Sequence, residues 1–332
     1  MGELVLRPYD MKRDLEGMYD LAEAAYVEDY GRIGVSVKAG MAQERRVVAV
    51  VSFVSRFIPA LRDISPGYVW VDNGKIVSFV HFARRGFAGD RWSIETVMTH
   101  PGYQRRGLAR KLVEAATQAI RARGGRVCVL KVRADNAPAY ALYRSLGFAH
   151  CDTTVHMRAQ SAAPASSVRP PGGTALRRVL QKEWHRTWRA RYDLAQREAP
   201  SDVCKFLPVS EHEYRRPWFV RLLGPGLARL SGRHIERWHV KDGEGLLATL
   251  SIGGDADGKG THDIQIHLDP AHEATLAPLV VERSLASLAA LPPCPVLCET
   301  RASNEALLAA LRARGFSEMA VWHTLALRLD AT

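Results

Sequence analysis

The sequence THPGYQRRGLARKL, from Thr99 to Leu112, joins a strand-like segment to an amphipathic helix through a basic turn. Arg91–Thr99 reads as a strand, and Arg105–Arg123 repeats apolar residues at helical spacing. The first amides of a helix lack intrahelical partners and attract anions. The small residues Gly107 and Ala109 would let an anion approach those amides closely. The stretch therefore predicts a phosphate-binding loop, although an ordinary basic turn between a strand and a helix is consistent with the same sequence.

The segments on either side of this loop alternate between strand and helix patterns. Asp72-Asn73-Gly74 is typical of a tight hairpin turn between two strands. The alternation indicates an α/β fold (an α+β mixed sheet), a mostly antiparallel twisted sheet flanked by helices. The other predicted strands are Leu4–Arg7, Tyr68–Asp72, Lys75–Ala83, Arg126–Arg133 and Ala149–Arg158, and the other predicted helices are Asp10–Ala25, Gln43–Leu61 and Ala137–Leu146.

The chain also repeats itself. VRADNAPAYALYRSLGF (Val132–Phe148) aligns with TRASNEALLAALRARGF (Thr300–Phe316), and each copy places an Asn twelve residues before the Phe of a Gly-Phe pair. Between the copies, residues 159–174 are rich in Pro and Gly and lack hydrophobic periodicity, which is typical of a linker. The sequence therefore predicts two tandem domains, residues 1–158 and 175–332, joined by that linker.

Two motifs together resemble one known family. Q-x-x-G-x-A at Gln104–Ala109 and N-x-x-A-x-x-L-Y-x-x-x-G-F at Asn136–Phe148 are similar to those of the GNAT superfamily of acetyl-CoA-dependent N-acetyltransferases. The resemblance covers about residues 3–158. It implies an acyltransferase whose N-terminal domain moves an acetyl group from acetyl-CoA to an amine by direct attack, without a metal.

The resemblance also implies where acetyl-CoA binds. The loop amides would hold the pyrophosphate, and the pantetheine arm would pair with the exposed edge of the strand before the loop. Asn136 would contact the pantetheine arm or the strand end, and the same residue also suits a helix N-cap. The implied cosubstrate-binding residues are Val97, Met98, Thr99, Gln104, Arg105, Arg106, Gly107, Leu108, Ala109, Arg110, Asn136 and Tyr143.

Two side chains are candidates for the chemistry. Tyr143 occupies the family's position for a phenol that protonates the departing thiolate, and its plainer role is a core aromatic. Glu95 lies where family members often carry a base, although a solvated strand carboxylate would look the same. Strand alternation predicts Glu95 on the same face as Val97 and Thr99. His81 and His100 are weaker alternatives for the base.

The second repeat resembles the first in pattern but not in its loop. Glu273 stands where Gln104 does, Leu276 replaces Gly107, and Pro278 replaces Ala109. A carboxylate, a branched side chain and a proline all oppose pyrophosphate binding. We therefore expect residues 175–332 to be a degenerate GNAT-like domain, with Leu311 in place of Tyr143 and with Trp184, Trp188, Trp218 and Trp238 building core.

Charge and composition limit the partners. The net charge is +11, without the basic runs that nucleic-acid-binding proteins usually show. No apolar run approaches the length of a membrane span, and the five cysteines form no CxxC pair, so we expect a cytoplasmic protein with reduced thiols and no membrane or nucleic-acid partner. The acceptor is expected to be a small-molecule or peptide amine. A longer acyl-CoA donor, a non-catalytic acetyl-CoA-binding regulatory module and any oligomeric state stay open.

Overall fold

The computed structural model describes residues 3–25, 66–85, 89–162, 175–200, 203, 207–215, 233–243, 245–258 and 260–329. The helix predicted at Gln43–Leu61, Trp218, and most of the predicted linker lie outside these residues. Backbone contacts divide the chain into two compact units. The first contains residues 1–131, 141–149 and 325–332, and the second contains residues 132–140 and 150–324.

The first unit is a sheet with strand order β1-β2-β3-β4-β5, flanked by helices. Neighbouring strands run antiparallel, except that β4 and β5 are parallel. This mixed sheet confirms the predicted fold class. Its elements are β1 (Val5–Pro8), α1 (Met11–Ala25), β2 (Gly67–Asp72), β3 (Lys75–Arg84), β4 (Arg91–Thr99), α2 (Leu108–Ala122), β5 (Val127–Arg133) and α3 (Ala137–Ser145), numbered among the described residues.

Helix α1 covers one face of this sheet. Its apolar residues Leu21 and Ala22 pack with Val69 of β2, Phe79 of β3 and Met98 of β4 in one buried cluster. The amphipathic spacing of α1 directs these side chains to the sheet and leaves Glu16, Asp20 and Glu23 exposed. Helix α1 therefore packs against β4, the strand that leads into the basic loop.

A buried carboxylate holds α1 against β1. Asp14, only 3% exposed, accepts two hydrogen bonds from the Arg7 guanidinium at 2.6 and 2.7 Å and one from the Asp10 amide at 2.9 Å. Burial alone would raise the pKa of Asp14, but the bonds from Arg7, the Asp10 amide and Arg13 lower it to about 2. The carboxylate therefore stabilises the folded state in its ionised form.

We expect Asp14→Asn to lower the free energy of unfolding by about 2 kcal/mol at pH 7, because Arg7 loses its ionic partner. The pKa of Asp14 is lowered by folding, so its contribution is full above pH 4 and is lost as pH falls from 3.8 towards 2. Urea denaturation at pH 7 and at pH 3 measures both effects. Asp20→Asn, an exposed site on the same helix, is the matched control. An equal loss in both variants would contradict a specific role for Asp14.

The second unit repeats the same plan. Its strands follow the order β12-β6-β11-β10-β9-β8-β7, with β10 and β11 parallel. Its elements are β6 (Ala149–Ala159), β7 (Ala175–Arg178), α4 (Gln181–Arg186), α5 (Trp188–Glu198), α6 (Glu211–Tyr214), β8 (Arg233–Asp242), β9 (Gly245–Asp255), β10 (His262–Leu268), α7 (Glu273–Leu288), β11 (Val296–Arg301), α8 (Glu305–Arg312) and β12 (Ser317–Arg328).

Local geometry agrees with the repeat found in the sequence. Asn136 and Asn304 each cap a helix, their side-chain oxygens accepting from the amides of Ala139 (3.1 Å) and Leu307 (3.0 Å). A short 3-10 turn follows β4 at Pro101–Tyr103 and β10 at Pro270–His272. The two halves therefore share both their element order and their capping residues.

The compact units do not follow the predicted seam between the repeats. Strand β6, at the end of the first repeat, pairs antiparallel with β11 in the second unit. Residues 325–332 belong to the first unit, where the Leu329 amide donates to the Arg126 carbonyl at 2.7 Å. The domain limits 1–158 and 175–332 describe the repeat in the sequence and stay a prediction.

Candidate active site

The basic loop is a turn with left-handed backbone, not the first turn of a helix. The sequence predicted a helix from Arg105, but α2 begins at Leu108. Arg105 has a φ of 60° and Gly107 a φ of 76°, and neither value is compatible with a right-handed helix. Glycine adopts this conformation without steric cost, which explains its place at the N-cap of α2.

Space is open where α2 begins. A Cβ placed on Gly107 would meet no heavy atom within 4 Å, and no side chain caps this end of the helix. The amides of the first turn, beginning at Leu108, have no acidic side chain among their neighbours in that turn. An uncapped helix start with open space carries partial positive charge and suits an anion.

Side chains of the loop add positive charge in fixed positions. The Arg106 guanidinium lies 4.8 Å from the centre of the Tyr103 ring and donates to the Gly102 carbonyl at 2.9 Å. The Arg110 guanidinium donates to the Ser145 hydroxyl of α3 at 2.6 Å. These two guanidinium groups are therefore oriented by the protein, while Arg105 is exposed.

Strand β4 separates from β5 just before the loop. Their parallel register runs from Arg91–Val127 to Ile94–Leu130, whereas β4 continues to Thr99. On its other edge β4 remains paired with β3 as far as Thr99 and Ser78. The segment containing Val97, Met98 and Thr99 thus has one edge outside the β4–β5 ladder, as strand addition by an extended ligand requires.

A β-bulge at Glu95 overturns the predicted arrangement of side chains. Ile94 lies opposite Phe82 and Thr96 opposite His81, so Glu95 is an extra residue in the ladder. The extra residue reverses the alternation, because a bulge shifts the phase of every following side chain. Ile94 and Val97 therefore lie on one face, and Glu95 lies on the face opposite Val97 and Thr99. The prediction that Glu95 shares their face was wrong.

Glu95 lies beside His81 on the bulged part of the strand pair. The Ser93 hydroxyl donates to the Glu95 carboxylate, whose side chain is exposed. Burial lowers the pKa of His81, and the charge of Glu95 opposes that shift only in part. His81 is therefore neutral at pH 7. Its place near Glu95 depends on the register between β3 and β4, which no single segment of sequence reveals.

The two motif residues on and before α3 have well-defined local roles. Tyr143 is 7% exposed, and its ring lies 6.1 Å from that of Phe148 in an edge-on arrangement. Asn136 caps α3 and belongs to the second unit, whereas Tyr143 belongs to the first. The predicted cap of Asn136 is confirmed, and the chemical roles of both residues stay predictions.

The second repeat has neither the loop nor the bulge. Helix α7 begins at Glu273, so the residues that correspond to the basic loop are helical. Leu276, at the position of Gly107, is 1% exposed in the core, and β10 pairs with β9 in an unbroken register. Burial, with help from the nearby carboxylates of Glu198 and Asp269, raises the pKa of Glu273. The geometry of an anion site is therefore lost at this position.

No helix in the described part of the chain is long and apolar enough to cross a membrane. No group of three or more His, Cys, Asp or Glu side chains among the same residues is arranged to hold a metal ion.

Sequence comparison identifies relatives of the first repeat. Residues 16–148 match the acetyltransferase (GNAT) family. The [ribosomal protein bS18]-alanine N-acetyltransferase of Escherichia coli K12 is 41% identical over 76 residues, 23% of this chain and 49% of that protein. The chain thus spans about half the length of this curated relative.

Structural comparison extends over both repeats. A GCN5-related N-acetyltransferase from Sphaerobacter thermophilus superposes with a TM-score of 0.64 at 14% identity, covering 99% of this chain and 96% of the other. A tandem GNAT protein from the clavulanic acid biosynthesis pathway gives a TM-score of 0.60 at 16% identity, covering 99% and 100%. At such identities the likeness establishes the fold, including its tandem arrangement.

Proposed function

This chain belongs to the GNAT acetyltransferase superfamily through residues 16–148, and we propose that it transfers an acetyl group from acetyl-CoA to an amine in its first repeat. The observation that carries the proposal is the combination at β4: a bulged strand that leaves its parallel neighbour and leads into an uncapped helix start, which is open at Gly107 and has no acidic side chain in its first turn. The corresponding helix of the second repeat, α7, also starts without a side-chain cap, but it carries Glu273 in its first turn and buried Leu276 at the position of Gly107. The second repeat is therefore proposed not to bind acetyl-CoA.

The residues of the first repeat fit acetyl-CoA. The open space at Gly107 and the amides at the start of α2 suit a pyrophosphate, with Arg106 and Arg110 balancing its charge. The strand edge at Val97, Met98 and Thr99 suits the amides of pantetheine. Asn136 is proposed to contact the pantetheine arm while it caps α3.

When bound, acetyl-CoA supplies an acetyl thioester that is already activated towards amines. Glu95 is proposed to accept a proton from the acceptor amine, directly or through water, with neutral His81 beside it. The amine nitrogen then bonds to the acetyl carbon as the carbon–sulfur bond breaks. Tyr143 is proposed to give its proton, or a hydrogen bond, to the sulfur. Holding the thioester and the amine in reactive positions beside β4 is proposed to supply a further part of the rate enhancement.

An α-amine is the acceptor that the comparisons favour. The relative from Escherichia coli is named for acetylating an alanine of ribosomal protein bS18, and small-molecule amines are the other class to test. The decisive experiment incubates the full chain with acetyl-CoA and a panel of peptides, amino acids and aminoglycosides, and follows release of the CoA thiol. Turnover with any amine supports the proposal. Binding of one acetyl-CoA per chain without turnover would instead favour a regulatory module, and turnover only with longer acyl-CoAs would change the donor.

We expect Glu95→Gln to lower kcat about 100-fold at pH 7, because the amine must then lose its proton to solvent. Affinity for acetyl-CoA, measured by calorimetry, should stay unchanged. The variant's rate should rise with pH as the free amine becomes more abundant in solution. Glu16→Gln, an exposed carboxylate on α1, is the matched control. If His81→Gln instead causes the loss and Glu95→Gln does not, the base is His81.

A further inference from the structure

A cavity of about 310 Å³ opens on one face of the second unit's sheet, outside the site described above. Its floor consists of strands β8, β9 and β10, and its walls come from α4, α5 and α6. The opposite face of the same strands is apolar: Ile264, Ile266 and Leu268 of β10 are buried in the core with residues of α7. The cavity therefore occupies the polar side of a sheet whose other side is filled by core.

The floor is an ordered set of polar side chains. On β10, Asp263, Gln265 and His267 alternate with the buried residues and point to the cavity. Gln265 lies opposite Ser251 of β9 and His267 opposite Thr249. Along β10 the floor thus changes from a carboxylate at one end, through hydroxyl and amide groups, to an imidazole at the other.

The walls bring two guanidinium groups against one aromatic ring. The Arg191 guanidinium lies 4.3 Å from the centre of the Trp184 ring, and that of Arg237 lies 5.3 Å from it. Arg191 also donates to the Trp184 carbonyl at 3.2 Å and lies 5.8 Å from the Tyr214 ring. Trp184, predicted from sequence to build core, is instead half-buried in the cavity wall. Stacking on Trp184 restrains both planar guanidinium groups, and both arginines line the cavity.

A carboxylate at the end of the wall helix α5, Glu198, orients His267. Glu198, 12% exposed, accepts from or pairs with His267 Nδ1 at 2.7 Å, whereas 47% of the His267 side chain is accessible. Desolvation would lower the pKa of His267, but attraction to Glu198 and their hydrogen bond raise it overall. The Nε2 side of the ring, away from Glu198, can therefore donate a hydrogen bond. This end of the cavity is rich in donors.

We propose that this cavity is a binding site for a small amino- or hydroxycarboxylate, about the size of an amino acid. The carboxylate is bound by Arg191, Arg237 and His267, whose planar or paired donors match its two oxygens. The amino or hydroxyl group is bound towards Asp263. A polyphosphate is disfavoured because Asp263 and Glu198 would repel it, and an apolar ligand would leave these charges without water. The volume lies at the lower end of the range for ligand pockets.

This site does not depend on the acetyl transfer proposed for residues 16–148. The cavity is open to solvent, and Gln265 and His267 on its floor are exposed, so a soluble ligand can reach the polar groups. The second repeat lacks the glycine and tyrosine of the first, yet it contains a cavity lined by polar and charged side chains. Ligand binding is a function that would retain it.

The test uses the full chain and a panel of probes: the standard L-amino acids, lactate and malate, with the α-amide of each amino acid as a ligand control. Thermal melting identifies binders and calorimetry measures their affinity. We expect at least one carboxylate to bind saturably, with one site per chain, while its amide does not. Arg191→Gln should weaken that binding at least about tenfold. Asp263→Asn should weaken the binding of an amino acid more than that of lactate, because the charged amino group loses an ionic partner and the hydroxyl group does not.

Arg189→Gln, an exposed arginine on the same helix, is the matched control and should bind as wild type does. If Arg191→Gln does not fold, as judged by circular dichroism, Ser251→Leu serves instead, because it fills the floor without touching the guanidinium groups. The absence of binding by any probe would overturn the proposal. Equal affinity in the wild type and in a folded cavity variant would overturn it as well.

Discussion

Gly107→Glu is expected to abolish acetyl-CoA binding in the micromolar range, with a loss of affinity of at least about 100-fold. The open space beside Gly107 is where the proposed pyrophosphate lies, so the new carboxylate would occupy it and repel the phosphates. Loss of hydrogen bonds from the α2 amides to a charged group costs about 2–3 kcal/mol, and each 1.4 kcal/mol is a factor of about ten. Calorimetric titration of acetyl-CoA into the full chain measures the effect.

The same helix supplies the control. Gly124, just after the C-terminal end of α2, has the same φ of 76° and equally open surroundings. Gly124→Glu therefore introduces the same side chain, charge and backbone strain, and it should bind acetyl-CoA within about twofold of the wild type. Equal losses in the two variants would mean that stability or net charge is responsible, and the loop would lose its proposed role. Wild-type binding of two acetyl-CoA molecules per chain would contradict the proposed decay of the second repeat.

Tyr143→Phe is expected to lower kcat about 100-fold while the affinity for acetyl-CoA stays within about twofold. Protonation of a leaving group by a positioned acid contributes about 10²- to 10⁴-fold. The ring of Tyr143 is buried against Phe148, so phenylalanine keeps the packing and removes only the hydroxyl. The assay is release of the CoA thiol with the best amine from the acceptor panel.

Two comparisons separate a chemical role from a structural one. Tyr140→Phe, on the same helix, removes a hydroxyl that lies 3.2 Å from His150 and should leave kcat unchanged. The thiolate of a more acidic thiol leaves more easily without being protonated. With an acetyl thioester of such a thiol as donor, the decrease in kcat caused by Tyr143→Phe should therefore be smaller. If turnover is unchanged with acetyl-CoA, Tyr143 is not the acid, although the proposed binding site would stand.

Several site residues could be found from sequence because their roles are local. Gly107 is recognisable since a left-handed N-cap needs a residue without Cβ, and Asn136 since a cap bonds only three residues ahead. The start of α2 was misplaced because helical spacing of apolar residues continues back to Arg105, whereas its φ of 60° is set by the turn. Periodicity records which side chains are apolar, not which backbone is helical.

Residues brought together across the sheet could not be found in this way. His81 and Glu95 meet through the β3–β4 register, and one bulge reversed the face on which Glu95 was predicted. Glu198 and His267 are an ion pair joining α5 to β10, and the cavity at Trp184 combines three strands and three helices. None of these pairs has a fixed sequence spacing, so no motif could represent them.

The amino-acid sequence by itself indicated the resemblance to the GNAT family, the repeated order of strands and helices, the basic loop, and the absence of that loop from the second repeat. These features depend on the conformational preferences of single residues and on spacings within one element. Neither depends on how distant segments pack together. Only the tertiary structure decided the face of Glu95, the neutral His81 beside it, the division of the chain into units, and the polar cavity of the second unit. Those depend on strand register and on packing between distant segments, where one extra residue reverses which side chains meet.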